Sequence, residues 1–250
     1  MIELNGKVAL VTGAGRRVGR AIAEALAREG ARVAIHYNES RAGAEELCAG
    51  IRAKGGDAEV FRADLADVAA AEQLVGRVVT RFGALDVLVN SAAVMFRTPF
   101  GEVTAKEWDS MFALNLRAPF FLAQASARAM GWGGPEEKQR EGAIINIADL
   151  AAFESWTGYV PHGITKAGVV RMTSSLAKVL GPKIRVNAVA PGAVLLPEGF
   201  DEAAAAHLVE TTPLRRLGHP DDVSHAVLYL LKAGFVTGQT IIVDGGRHTR

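Results

Sequence analysis

Short apolar runs alternate with amphipathic stretches along nearly the whole chain. Residues 7–12 (KVALVT) form an apolar run that the glycines of 13–16 break, and residues 17–28 then carry Val18, Ile22, Ala25 and Leu26 at helical spacing until Gly30. The alternation repeats: strand 32–37, helix 42–53, a turn at Gly55-Gly56, strand 58–63, and a helix whose Val68, Ala71, Val75, Val78 and Phe82 share one face. Strand 86–90 follows. Thr104 and Glu107 form a capping box that opens a helical stretch running, with Pro119 as an interruption, towards Met130. Strand 143–147, a long helix over 158–180, strand 183–190, a helix over 220–231 and a closing strand over 240–244 complete the pattern.

Strands that are apolar throughout and separated by helices predict a parallel sheet covered on both faces. Right-handed crossovers make it a doubly wound, Rossmann-type α/β fold with seven parallel strands. No repeat or linker interrupts it, and the polar insertion 131–142 (GWGGPEEKQREG) reads as a solvent-facing loop, so residues 1–250 are expected to form a single domain.

Composition narrows the function classes. With 28 basic and 27 acidic residues the net charge is +1, which offers no polybasic face for nucleic acid. Apolar residues make up 49% of the chain, enough for a large core. The single cysteine, Cys48, excludes an internal disulfide and a multi-cysteine metal site, and no metal is expected. No targeting segment and no apolar run near the ~20 residues of a membrane span is visible, so a cytoplasmic protein without a membrane partner is expected.

The chemistry begins at the first turn, Thr12-Gly13-Ala14-Gly15-Arg16-Arg17-Val18-Gly19, between a strand and an amphipathic helix. Bare backbone there lets a pyrophosphate approach the helix N-terminus and its free N–H groups. The second strand ends His36-Tyr37-Asn38, with Ser40 just beyond, where an enzyme selecting NAD places a carboxylate. Arg16 and Arg17 oppose the helix dipole unless an anion is bound. These features favour NADPH, with Gly13, Arg16, Arg17, Val18, His36, Tyr37, Asn38 and Ser40 as its expected contacts.

Further along stand Asp64-Leu65, Asn90-Ser91-Ala92, Asn115, Lys166, Arg185-Val186-Asn187, Pro191-Gly192, residues 218–223 (GHPDDV) and Asp244-Gly245-Gly246. With the glycine turn they resemble, over essentially the whole chain, the short-chain dehydrogenase/reductase family, and within it most the pteridine reductases and their bacterial relatives. Arg17 stands at the usual middle glycine, the second strand ends His-Tyr, and Asp149 stands where most members have serine. The resemblance implies that Asp64 and Leu65 flank an adenine, that Asn90, Ser91 and Ala92 line the cofactor, and that Pro191, Gly192 and Val194 pass its carboxamide end. It also implies that Lys166 bonds the nicotinamide ribose, that Asn115 holds a water in a proton relay, and that the chain forms a homotetramer or homodimer. Arg250 would then reach a neighbouring pocket.

One departure is central. The family pattern is Tyr-x-x-x-Lys, and the residue four before Lys166 is His162. Tyr159, His162 and Lys166 are offset as i, i+3 and i+7 and are expected on one helix face. Three readings stay open. His162 replaces the phenol as general acid, since imidazole titrates near ~6.5 against ~10 for a phenol, with Asp149 offsetting the unfavourable Lys166 charge. Alternatively Tyr159 or Asp149 gives the proton and His162 orients substrate. In the third, chemistry is lost and the pocket only binds, as in a sensing or regulatory pseudo-reductase. The expected activity is hydride transfer to a C=N or C=O bond of a small molecule, a dihydropterin-like heterocycle or an acyl-linked or simple ketone. Met95, Phe96 and Tyr159 would line its pocket, and 193–200, with Leu195 and Pro197, would form an apolar lid.

Overall fold

A computed structural model describes residues 2–196 and 200–249; Pro197 of the expected lid and Arg250 lie outside the described residues. The described residues form seven strands: β1 (Val8–Val11), β2 (Arg32–Tyr37), β3 (Ala58–Arg62), β4 (Val87–Asn90), β5 (Gly142–Ile147), β6 (Ile184–Pro191) and β7 (Thr240–Val243). They pair in parallel in the order β3-β2-β1-β4-β5-β6-β7. This is the doubly wound sheet that the alternation predicts.

Among the described residues eight α-helices cover it: α1 (Arg17–Arg28), α2 (Arg41–Ala53), α3 (Val68–Phe82), α4 (Ala105–Phe112), α5 (Ala118–Ala129), α6 (Val160–Leu180), α7 (Glu202–Thr211) and α8 (Pro220–Lys232). One core layer packs Ile22 and Leu26 of α1, Leu47 and Ile51 of α2, and Val227 and Leu231 of α8 on the sheet. The other packs Leu74 and Val78 of α3, Leu122 of α5 and Leu180 of α6 on the opposite face. Alternate positions of each strand serve alternate layers, so β1 sends Ala9 and Val11 one way and Val8 and Leu10 the other.

Three differences from the sequence pattern have physical causes. The stretch from Thr104 does not break at Pro119: Ala113–Arg117 form a wider π-type turn between α4 and α5, closed by the Ala118 N–H on the carbonyl of Ala113. Pro119 falls within the first turn of α5. It has no N–H for the carbonyl four residues back, Asn115, and the widened turn removes that need. The helix α6 begins at Val160 rather than 158, with Pro161 in its first turn. Finally, α7 has no counterpart in the sequence reading, because it buries no residue and so carries no apolar stripe.

Candidate active site

The strands run one way, so the carboxyl ends of β1, β4, β5 and β6 share one edge, and the order of the sheet changes direction between β1 and β4. Ligands of such sheets bind in the crevice at that point. The glycine turn after β1 lies there. Gly13 has φ +65°, and a Cβ on it would stand 2.9 Å from Cα of Ala92, just past β4. A Cβ on Gly19 would stand 2.5 Å from the Gly13 carbonyl oxygen, and one on Gly15 would collide with Ser40. Arg16 caps α1 without a side-chain hydrogen bond, and the helix has no acid in its first turn. Bare backbone and unused N–H donors are what a dinucleotide pyrophosphate requires, and the turn fits one.

Two residues brace this turn from below. Thr12 Oγ1 accepts the N–H groups of Ser91 and Ala92 at 2.9 and 3.0 Å, tying the ends of β1 and β4 together. Sequence reasoning counted Thr12 only as part of the motif; its place at a strand end directly before glycine was the available signal. His36, 2% exposed, accepts the Gly13 N–H on Nδ1 at 3.1 Å, and its Nε2 faces the Ala63 carbonyl at 3.1 Å. Both ring nitrogens therefore serve the backbone, and the residue expected to touch cofactor holds the turn instead.

Burial keeps the His36 ring neutral, lowering its pKa from 6.5 to about 4, although the Ala63 carbonyl pulls the other way. Above about pH 6.5 the folded and unfolded chains are both neutral here. As pH falls towards 4 the unfolded chain takes up a proton that the fold refuses, so stability is lost. Unfolding free energy should drop by about 2 kcal/mol between pH 7.5 and 5 from this group alone. Urea titrations at the two pH values check it: His36→Gln should flatten the dependence, and equal slopes in both proteins would refute the assignment.

The other expected cofactor positions divide. Val18, Ser40, Ser91, Ala92 and Gly192 are half-buried around the turns, and Arg16, Asn38 and Asp64 are exposed. Arg17, in a left-handed backbone with φ +54°, sends its guanidinium to the carbonyls of Leu195 and Leu196, away from the end of β2. Asp64 accepts the Ala66 N–H at 3.0 Å. Tyr37, Leu65 and Val194 are buried in or against the core. Asn90 is buried too: its Nδ2 donates to Asn146 Oδ1 at 2.9 Å, and Asn146 donates on to Thr173 Oγ1, a chain that joins β4, β5 and α6. Pro191 ends β6, and a Cβ on Gly192 would stand 2.7 Å from that of Asp244.

The reaction residues do converge. Lys166, 5% exposed, donates from Nζ to the Ile147 carbonyl at the end of β5, 2.9 Å away. Burial pushes its ammonium below the usual lysine range, and the Asp149 charge opposes that shift. Asp149, with a side chain 24% exposed, directs Oδ2 towards His162 Nε2 at 3.5 Å while Oδ1 accepts the Ala151 N–H at 2.8 Å. The approach lacks hydrogen-bond geometry, so Nε2 of the 2%-exposed His162 has no partner among the described residues. Asn115, carried on the π-type turn, is clamped by Val94 at both ends of its amide, Oδ1 accepting at 2.9 Å and Nδ2 donating at 2.8 Å.

Tyr159 corrects one sequence argument. Because α6 starts at Val160, Tyr159 is its N-cap with a non-helical backbone, φ −141° and ψ 32°, and helical spacing relates only His162 and Lys166. Its ring lies edge-on to Trp156 at 6.2 Å. Met95 is 47% exposed, Leu195 is exposed and Phe96 is half-buried on the neighbouring segments. A broad apolar groove lies elsewhere, lined by Phe112, Leu116, Phe120, Phe121, Met172 and Leu176 of α4, the π-type turn, α5 and α6. No helix among the described residues is long and apolar enough to cross a membrane.

The chain is similar to known proteins over nearly its whole length. Residues 13–248 match the family described as enoyl-(acyl carrier protein) reductase. The 3-oxoacyl-[acyl-carrier-protein] reductase FabG of Staphylococcus aureus is 37% identical over 97% of this chain and 98% of its own length. FolM alternative dihydrofolate reductase 1 from Brucella canis, solved with NADP, superposes with a TM-score of 0.91 at 33% identity, covering 99% of this chain and 96% of its own. A short chain dehydrogenase from Burkholderia cenocepacia, also solved with NADP, gives 0.90 at 33% identity over 98% and 99%.

Proposed function

The chain belongs to the short-chain dehydrogenase/reductase family, and from that premise we propose that it is an NADPH-dependent reductase of a C=N or C=O bond in a small substrate. The observation that carries the reading is the convergence of Asp149, His162 and Lys166 at the carboxyl edge of the sheet, beside a turn built for a pyrophosphate. The turn around Gly13, Gly15 and Gly19 holds the pyrophosphate, Arg16 and Ser40 lie towards the ribose phosphate, and Lys166 bonds the nicotinamide ribose. When bound, the dinucleotide supplies the hydride. Lys166 orients the ribose from a dry site, where its charge acts with little screening. The Asp149–His162 pair faces the substrate heteroatom and provides the proton that neutralises it. Asp149 is the member of the pair with solvent access, through which the proton is restored.

A flat, dihydropterin-like heterocycle is the preferred substrate, with Met95 able to cover a ring face through its polarizable sulfur. A 3-oxoacyl or simple ketone is the second reading, supported by the likeness to 3-oxoacyl reductases. The apolar groove on α4, α5 and α6 is assigned to a second copy of this chain in a homodimer or homotetramer, and the protein to the cytoplasm.

Turnover separates the readings. NADPH consumption, followed optically with dihydropterins, quinones and 3-oxoacyl thioesters, should appear with at least one class and should disappear in the double variant Asp149→Asn/His162→Gln. Binding of NADPH without consumption on any of them would replace the reductase with a cofactor-binding regulator.

A further inference from the structure

The environment of His162 determines which of its nitrogens carries hydrogen. The Asn115 amide cannot flip, because the Val94 N–H must meet Oδ1 and the Val94 carbonyl must meet Nδ2. One Nδ2 hydrogen goes to Val94. The other is directed between His162 Nδ1 at 3.5 Å and Thr165 Oγ1 at 3.4 Å. Thr165 donates its own hydrogen to the His162 carbonyl at 2.7 Å, so its oxygen faces Asn115 as an acceptor. His162 Nδ1 thus looks at an N–H, and a hydrogen on Nδ1 would set two donors against each other in a buried site.

We infer that Asn115 holds the neutral His162 ring as the Nε2–H tautomer, making Nε2 a fixed hydrogen-bond donor. Asp149 acts in the same direction on the tautomer, since its Oδ2 lies 3.5 Å from Nε2 and favours a hydrogen on that nitrogen. Nε2–H is also the ring atom without a hydrogen-bond partner among the described residues, free to donate to the substrate atom that gains negative charge. Neutral histidine polarises a carbonyl in this way in triosephosphate isomerase. Giving that hydrogen away would leave an imidazolate, so the proton that ends on the product comes from solvent, which reaches the pair on the side of the 24%-exposed Asp149. This division of labour rests on the reductase reading; the tautomer does not. Asn115 is therefore a positioning residue that acts on His162.

Nitrogen-15 NMR of the histidine-labelled protein tests the tautomer without turnover. The His162 signals, identified by their loss in His162→Gln, should report a protonated Nε2 and a bare Nδ1 in the neutral ring. Asn115→Asp replaces the donor with an acceptor and should draw a proton onto Nδ1. Asn115→Leu removes the donor alone and should let the neutral ring populate both tautomers. A native neutral ring that carries hydrogen on Nδ1 overturns the inference. A bare Nδ1 in a protein that consumes no NADPH leaves the tautomer standing and removes only the reductase reading.

Discussion

Lys166→Met lowers kcat/KM by about 10²–10³-fold while the fold persists, on the reading that the ammonium is a single donor fixed in a water-poor site. Lys166 is 5% exposed, and its one protein acceptor among the described residues is the Ile147 carbonyl at 2.9 Å. A buried ammonium holding only one carbonyl has two hydrogens left for a ligand. Methionine keeps the length of the stem and removes the charge, so packing is nearly conserved and the loss reads on chemistry and cofactor orientation. Lys166→Arg should not rescue, because a planar fork does not fit a site built around one carbonyl. Steady-state kinetics with NADPH varied checks both: a change confined to the substrate KM, with kcat intact, would move Lys166 out of the reaction site.

Gly13→Val weakens NADPH binding at least about a hundredfold, which corresponds to ~2.7 kcal/mol. Two independent costs combine at this position. A left-handed φ of +65° is strained for any residue with a Cβ, and for a β-branched one most of all. The new Cβ would also lie 2.9 Å from the Ala92 Cα, which is backbone and cannot swing aside. Relief requires the turn to lift from the end of β4, spoiling the cradle without touching either core layer. Gly50→Ala on α2 is the control. Nothing lies within 4 Å of its added Cβ, so it should leave cofactor affinity unchanged and stabilise the helix by about 0.5–1 kcal/mol. Fluorescence titration of NADPH against the two variants measures the difference, and unchanged affinity in Gly13→Val would mean that the pyrophosphate lies elsewhere.

Much of the fold was legible because burial on both faces leaves a parallel strand apolar throughout, and each such run here marks a strand of the sheet. The helix after the first turn was legible to its ends, since Val18, Ile22 and Leu26 define a stripe and glycines flank it. What escaped had no pattern to carry it. The helix α7 buries nothing, and Tyr159 lies one residue outside a helix whose spacing had been extended through it. The site was legible as a set of positions, less so as a set of contacts. Sequence put Asp149, His162 and Lys166 near one another, and they are. It could not show that His36 and Asn90 face inward, because a polar residue at a strand end reads the same whether it meets a ligand or a backbone amide. Nor could it show that Arg17, at a positive φ, turns its guanidinium to the carbonyls of Leu195 and Leu196.

The claim beneath all of this is that a phosphorylated dinucleotide sits against the glycine turn, with its reactive end beside Asp149, His162 and Lys166. Calorimetric titration of the purified protein with NADPH and with NADH tests it most directly. One NADPH should bind per chain, at least about tenfold tighter than NADH, because no carboxylate ends β2 and the exposed Arg16 favours the extra phosphate. The absence of saturable binding by either nucleotide would contradict the account.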